Sequence, residues 1–217
     1  PVEGCLGEGL EDLKYIKCLN SISLVEKNIE PLLAYKDELI CLGLEGTINK
    51  SSHEILPKLG NLKALYLDST TLKSFTYISE LPIEKLSLYG RQPSDTLELE
   101  KLTGLKEIHI KNNSNWIDFS FLSKLDNLER IKLSYCAKIE SVPSLDELTR
   151  LKCIELSNCN RLIDIQALWK LGKGCSVLAT GKQLSKERLA YQFDKDTGIS
   201  DWCKEYSVNI PDDILNR

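Results

Sequence analysis

The chain has 217 residues, of which 42% are apolar and 28% charged, with a net charge of −4 and a pI near 5.4. That length suits one domain or an elongated array, and the composition is ordinary for a globular protein. The acidic balance excludes the basic face that a nucleic-acid binder needs, and no apolar run reaches the roughly 18 residues of a membrane span.

The first residues, PVEGCLGEGLEDLK, lack the basic and apolar regions of a signal peptide. No Met occurs anywhere, so the expectation is a removed initiator or a trimmed chain, with a lost signal or upstream segment left open. Within residues 1–18, Leu10, Leu13 and Ile16 fall on one side of a short helix. This stretch reads as an N-terminal cap or as the tail of an upstream unit.

From Leu19 onward a pattern recurs. Its heads are LNSISLVEKN at Leu19, LICLGLEGT at Leu39, LKALYLDST at Leu62 and IEKLSLYGR at Ile83. LKEIHIKNN at Leu105, LERIKLSYC at Leu128 and LKCIELSNC at Leu151 continue it. In the last two units Leu128, Ile131, Leu133, Cys136 and Ile139 recur 23 residues later as Leu151, Ile154, Leu156, Cys159 and Leu162. Seven units therefore span residues 19–174, and residues 175–217 hold a degenerate eighth head, CSVLATGKQL, followed by a C-terminal cap. The cap is expected to begin with a helix after Ser185 carrying Leu189 and Phe193, and to close the core with Ile199, Trp202, Tyr206, Val208 and Ile210.

The physics of one unit follows from its spacing. The fourth and sixth places alternate with polar residues, which is the strand period of two. They point inward with the first place, while the residues between them face outward. The ninth place carries Asn113, Cys136 or Cys159, small enough to be buried as the chain turns away. The return leg carries a second apolar set, such as Phe119, Leu122 and Leu125, or Val142, Leu145 and Leu148, spaced for a helical turn or an irregular arc. A single unit of this kind cannot bury its own apolar face, so units must stack.

A period near 23 with LxxLxLxx(N/C) heads resembles the short-repeat leucine-rich repeat proteins, in particular intracellular bacterial ones of the immunity type. The same heads resemble plant immune-receptor repeats. The resemblance implies an α/β leucine-rich repeat solenoid, curved and right-handed, with a parallel sheet on the concave face and short helices or irregular arcs on the convex face. It implies a non-enzymatic protein-binding module that grips a partner on its concave face. Stand-alone bacterial proteins of this look include immunity proteins that neutralise a cognate toxin. The alternative is the ligand-sensing segment of a larger receptor or adaptor. No cofactor, metal, nucleic acid or membrane is expected, and the oligomeric state stays open with a monomer favoured.

Eight cysteines are present, at positions 5, 18, 41, 136, 153, 159, 175 and 203, without any CxxC pair. Secreted leucine-rich repeat proteins cap their ends with cysteine clusters, which neither end has here. Reduced cysteines in a cytoplasmic protein are therefore expected. Asp194, Asp196 and Glu205 stand at calcium-loop places one, three and twelve, but Ile199 occupies the place that needs glycine. A polar turn is the better reading. His53 is expected to be solvated in a convex loop and His109 to face outward, with no nucleophile elbow beside either. LGKG ends a repeat and is no phosphate loop, and Cys203 is expected to be structural.

Recognition chemistry should then lie on the outward strand places. Tyr66, Tyr89, Tyr135 and His109 form an aromatic set there, next to Lys85, Lys111, Arg130 and Lys132. Asp68, with Glu45, stands on one flank and Glu155 on the other. Tyrosine and arginine dominate interface energetics, and a local basic patch would suit a partner protein with an acidic surface. The competing reading is that Tyr, Lys and Glu are common outward residues because they fit a pleated surface. Arg91 takes the small ninth place of its unit, so either the loop RQPSD bulges outward and extends the binding face or the arginine finds a buried acceptor. Trp116 poses the same choice, with core filling favoured.

Overall fold

Alternating apolar and polar residues make each of the seven regular heads a strand beginning at its third place. The computed structural model describes residues 21–25, 27–68, 72–171 and 175–180. The expected N-terminal cap, the calcium-like stretch, Cys5, Cys18, Cys203 and the C-terminal cap lie outside the described residues. The chain divides into two compact units, Pro1–Ile108 and His109–Arg217, with the break inside strand β5 (Glu107–Lys111).

The first unit holds strands β1 (Ser21–Leu24), β2 (Cys41–Glu45), β3 (Ala64–Asp68) and β4 (Lys85–Tyr89), each parallel to the next. Register places like on like: Leu42 beside Leu65 beside Leu86, and Leu44 beside Leu67 beside Leu88. All six leucines are buried, as are the first-place residues Leu39, Leu62 and Ile83. Each such side chain contributes on the order of 1.5–3 kcal/mol by leaving water.

The second unit repeats the scheme with β6 (Arg130–Ser134), β7 (Cys153–Ser157) and β8 (Ser176–Thr180), again parallel. Ile131, Ile154 and Val177 stand in one buried row and Leu133 and Leu156 in another. Trp116 fills the core as expected, buried with its ring edge-on to Phe119 and Phe121 at 5.8 and 5.7 Å. The eighth head thus does form a strand.

The return legs are mainly 3₁₀ turns, at Glu30–Tyr35, Phe75–Tyr77, Thr96–Lys101, Ser120–Lys124 and Gln166–Lys170. Apolar residues three apart lie on one edge of such a turn. The same residues also satisfy their own backbone. Leu122 N–H donates to Phe119 C=O, Leu125 N–H to Leu122 C=O and Leu128 N–H to Leu125 C=O. Buried peptide groups need partners, and this chain of bonds supplies them without a long helix.

One return leg is α-helical and corrects a sequence expectation. Asn49 caps helix α1 (Lys50–Ile55), its side-chain oxygen accepting from Ser52 N–H at 2.8 Å. That cap turns His53 inward. His53 is 2% exposed rather than solvated, its Nδ1 donates to Asn49 C=O at 3.0 Å, and its ring lies 5.2 Å from that of Tyr77.

The eighth place of a unit takes the left-handed backbone region that turns the chain off the strand. Asn112, Tyr135 and Asn158 have φ of 56°, 55° and 54°, while Gly46 and Gly90 reach 77°. Behind Asn or Tyr, the ninth residue is buried: Asn113, Cys136 and Cys159 are 0% exposed. Behind glycine the buried place slips by one. Thr47 and Arg91 are exposed, and Ile48 and Gln92 are buried instead. The two glycine-headed units are therefore one residue wider in their turn, a setting that glycine adopts at no steric cost.

The buried ninth residues act as expected. Asn113 Oδ1 accepts from the N–H groups of Asn115 and Trp116 at 3.2 and 2.8 Å. The Cys136 thiol donates to Ile110 C=O and the Cys159 thiol to Leu133 C=O, at 3.7 and 3.6 Å. Contact with the Cys159 sulfur, together with burial, pushes the Cys136 thiol up, so it stays protonated. All five described cysteines are free.

Candidate functional site

In the first unit, the outward places of β3 and β4 bring three expected residues together. Register sets Asp68 beside Tyr89. The Tyr66 and Tyr89 rings meet edge to face, with centroids 4.8 Å apart and planes at 67°. The Tyr66 hydroxyl donates to Asp68 Oδ2 at 3.3 Å. Burial first, then the charges of Asp68 and Glu45, push the Tyr66 phenol up to about 12, so it remains a donor at any physiological pH. Both rings are half-buried and present apolar faces, with the Tyr66 hydroxyl held by Asp68.

Lys85, on the same strand as Tyr89, forms an ion pair with Glu107 at 3.2 Å. Arg91 is exposed, so of the two readings open in the sequence the outward loop is the one adopted. Gln92 takes the inward place and its Nε2 donates to Tyr89 C=O at 2.8 Å. That bond ties the loop to the strand end that carries Tyr89.

In the second unit, His109 is half-buried on the outward side of β5. Burial, reinforced by the charges of Lys132 and Lys111 and opposed by Glu155, holds its imidazole below the ordinary histidine range. Lys132 pairs with Glu155 at 2.8 Å, and the two stand opposite each other in register. Arg130 is exposed and Lys111 half-buried. Tyr135 is 51% exposed at its left-handed position.

This corrects one expectation. The four cations do not form an open basic patch, because Lys85 and Lys132 each face a glutamate on the neighbouring strand. Exposed pairs of this kind add about 0–1 kcal/mol to stability, but each lowers the charge a partner would meet there. The signal was present in the sequence. Lys85 and Glu107 both occupy third places of successive heads, and Lys132 and Glu155 both occupy fifth places. Parallel in-register stacking makes equal places neighbours, so these pairs could have been read directly. Gln92 as the buried residue was not readable in the same way. Among the described residues, no group of three or more His, Cys, Asp or Glu side chains is arranged to hold a metal ion.

No family model matches the sequence, and no curated protein does. Solved structures do resemble it. The internalin inlF of Listeria monocytogenes aligns with a TM-score of 0.50 at 18% identity, over 74% of this chain and 58% of that one. A leucine-rich repeat protein of Leptospira interrogans gives 0.54 at 22%, over 74% and 41%. The Listeria internalin inlC2 gives 0.52 at 21%, over 76% and 77%. The chain thus spans little more than half of the first of these proteins and less than half of the second. With parallel strands in like-on-like register and 3₁₀ return legs, the fold is that of the leucine-rich repeat solenoid.

Proposed function

We propose that this chain is a non-enzymatic protein-binding module that grips one partner protein on its outward strand face. The observation that carries the reading is the Tyr66–Tyr89 pair, half-exposed and fixed edge to face, with the Tyr66 hydroxyl anchored on Asp68. Pre-set aromatic rings cost little entropy on binding and supply large contact area. Tyr135, held outward at φ 55°, supports the same role in the second unit. An acidic patch on the partner would compete with Glu107 for Lys85 and with Glu155 for Lys132. Binding should therefore depend on salt less steeply than four open cations would require. A cognate bacterial toxin is the first candidate partner, on the resemblance of the heads to immunity-type repeats. The cytoplasm is the proposed compartment, supported by Cys136 and Cys159 serving as buried thiol donors, a role that reduced sulfur fills.

The test is a pull-down from the native source, followed by affinity measurement on the Tyr89→Ala/Lys132→Ala double variant. A loss of about 2 kcal/mol or more in binding, with an unchanged unfolding midpoint, is expected. Undiminished binding would move the interface away from this face. Rescue of cells on co-expression with the captured protein tests the toxin reading separately.

A further inference from the structure

Two residues that stood out for different reasons, Arg91 and His53, border the same space. Both line a cavity of about 930 Å³ in the first unit. Its origin is the wider turn of the glycine-headed units. Thr47 and Ile48 follow Gly46, and Arg91 and Gln92 follow Gly90, and these four residues all contribute to the wall. The cavity is thus bordered by loops and by helix α1, not by the outward strand residues of the proposed partner face.

Its charged lining residues are Lys50, Lys73 and Arg91, all cations and all exposed, with no carboxylate among the residues of the wall. Among the described residues, none of the three forms an ion pair. The wall also contains two polar side chains withdrawn from solvent, His53 at 2% and Gln92 at 4% exposure. Ile48, Leu72 and Pro93 supply apolar surface. Like charges around a concavity repel one another, and their fields add over its open mouth. An anion relieves both effects. The volume lies within the roughly 300–1,000 Å³ typical of small-molecule sites.

We infer that this cavity binds a small organic phosphate, its phosphoryl group between Lys50, Lys73 and Arg91 and its apolar body against Ile48, Leu72 and Pro93. A phosphate monoester carries about −1.5 to −2 charge at neutral pH, which matches three cations better than a single carboxylate does. The arginine fork can also take two phosphoryl oxygens at once. Arg91 is the one residue this site shares with the expected partner face, and the site would stand if that face proved silent.

The chain contains two histidines, so their ring protons give a local readout, with His109 as the internal control. Inorganic phosphate and phenyl phosphate are titrated separately into the full chain at constant ionic strength and pH, followed by proton NMR. The expected result is a saturable shift of the His53 ring with both probes, tighter for phenyl phosphate, while His109 stays in place. Arg91→Ala and Lys73→Ala, both at exposed positions, should each weaken phenyl phosphate binding about tenfold, the loss of one charge-assisted contact. An unchanged urea unfolding midpoint in each variant confirms its fold. No saturable His53 shift, equal movement of both histidines, or a shift that Arg91→Ala leaves intact would overturn the inference. Equal affinity for the two probes would remove the organic part of the ligand.

Discussion

The N–H of Tyr135 donates to the carbonyl of Ser157 at 2.8 Å, and Tyr135 makes that bond with φ at 55°. The equivalent residue one unit earlier, Asn112, donates to Ser134 C=O at 2.9 Å with nearly the same φ. Asparagine tolerates this region, whereas a large aromatic does so at a cost of about 1 kcal/mol. Tyr135 is half-exposed, so little packing offsets that strain. Strain kept at an exposed aromatic points to use by a partner. Tyr135→Asn should therefore raise stability by about 0.5–1 kcal/mol and weaken partner binding. Urea unfolding together with an affinity measurement checks both, and a lower midpoint would show that the ring stabilises the fold.

Leu133 tests the register. It is 0% exposed and stands beside Leu156 in the inner row. Leu133→Ala should cost about 2–5 kcal/mol, from lost burial and the cavity left behind. Denaturant unfolding with no measurable midpoint shift would rule out its inward orientation.

Gly46 tests the turn. A Cβ built on it meets nothing within 4 Å, so any penalty comes from φ at 77° alone. Gly46→Ala should cost about 1–2 kcal/mol, and Gly46→Asn clearly less. Equal stability of the alanine variant would mean that the backbone relaxes to another conformation, which the circular dichroism of the variant would report.

His109 predicts a pH dependence with a definite sign. Its folded-state pKa is held below the ordinary value of 6.5, first by burial and then by Lys132. Below 6.5 the unfolded chain takes up a proton that the folded chain resists. The contribution is thus fully present above 6.5 and is lost as pH falls from there through the depressed folded value. Urea midpoints of the parent chain should drop between pH 7.5 and 5.5 by more than those of His109→Gln. A parallel drop in both would assign the loss to other groups.

Much of this architecture is legible in the sequence. The strand heads, their inward residues, the outward places of Tyr66, Tyr89, His109 and Lys132, and the burial of Trp116, Cys136 and Cys159 all follow from a period of two nested in a period near 23. Even the Lys85–Glu107 and Lys132–Glu155 pairs follow once equal places are taken as neighbours. These features are local or translational, so a linear pattern carries them.

Other features depended on the folded chain. His53 sits in KSSHEI, which reads as a polar loop until the Asn49 cap forms α1 and turns the ring toward Tyr77. Arg91 holds the ninth place in the sequence frame, yet Gln92 goes inside, because φ at Gly90 advances the turn by one residue. The repeat and the direction of each strand side chain are written in the linear pattern, since period and alternation are properties of neighbours along the chain. Which residue enters the core after each strand, and that Arg91 and His53 border one cavity, emerge only on folding. Those outcomes hang on single backbone angles and caps, whose effects converge from residues some 40 positions apart in the chain.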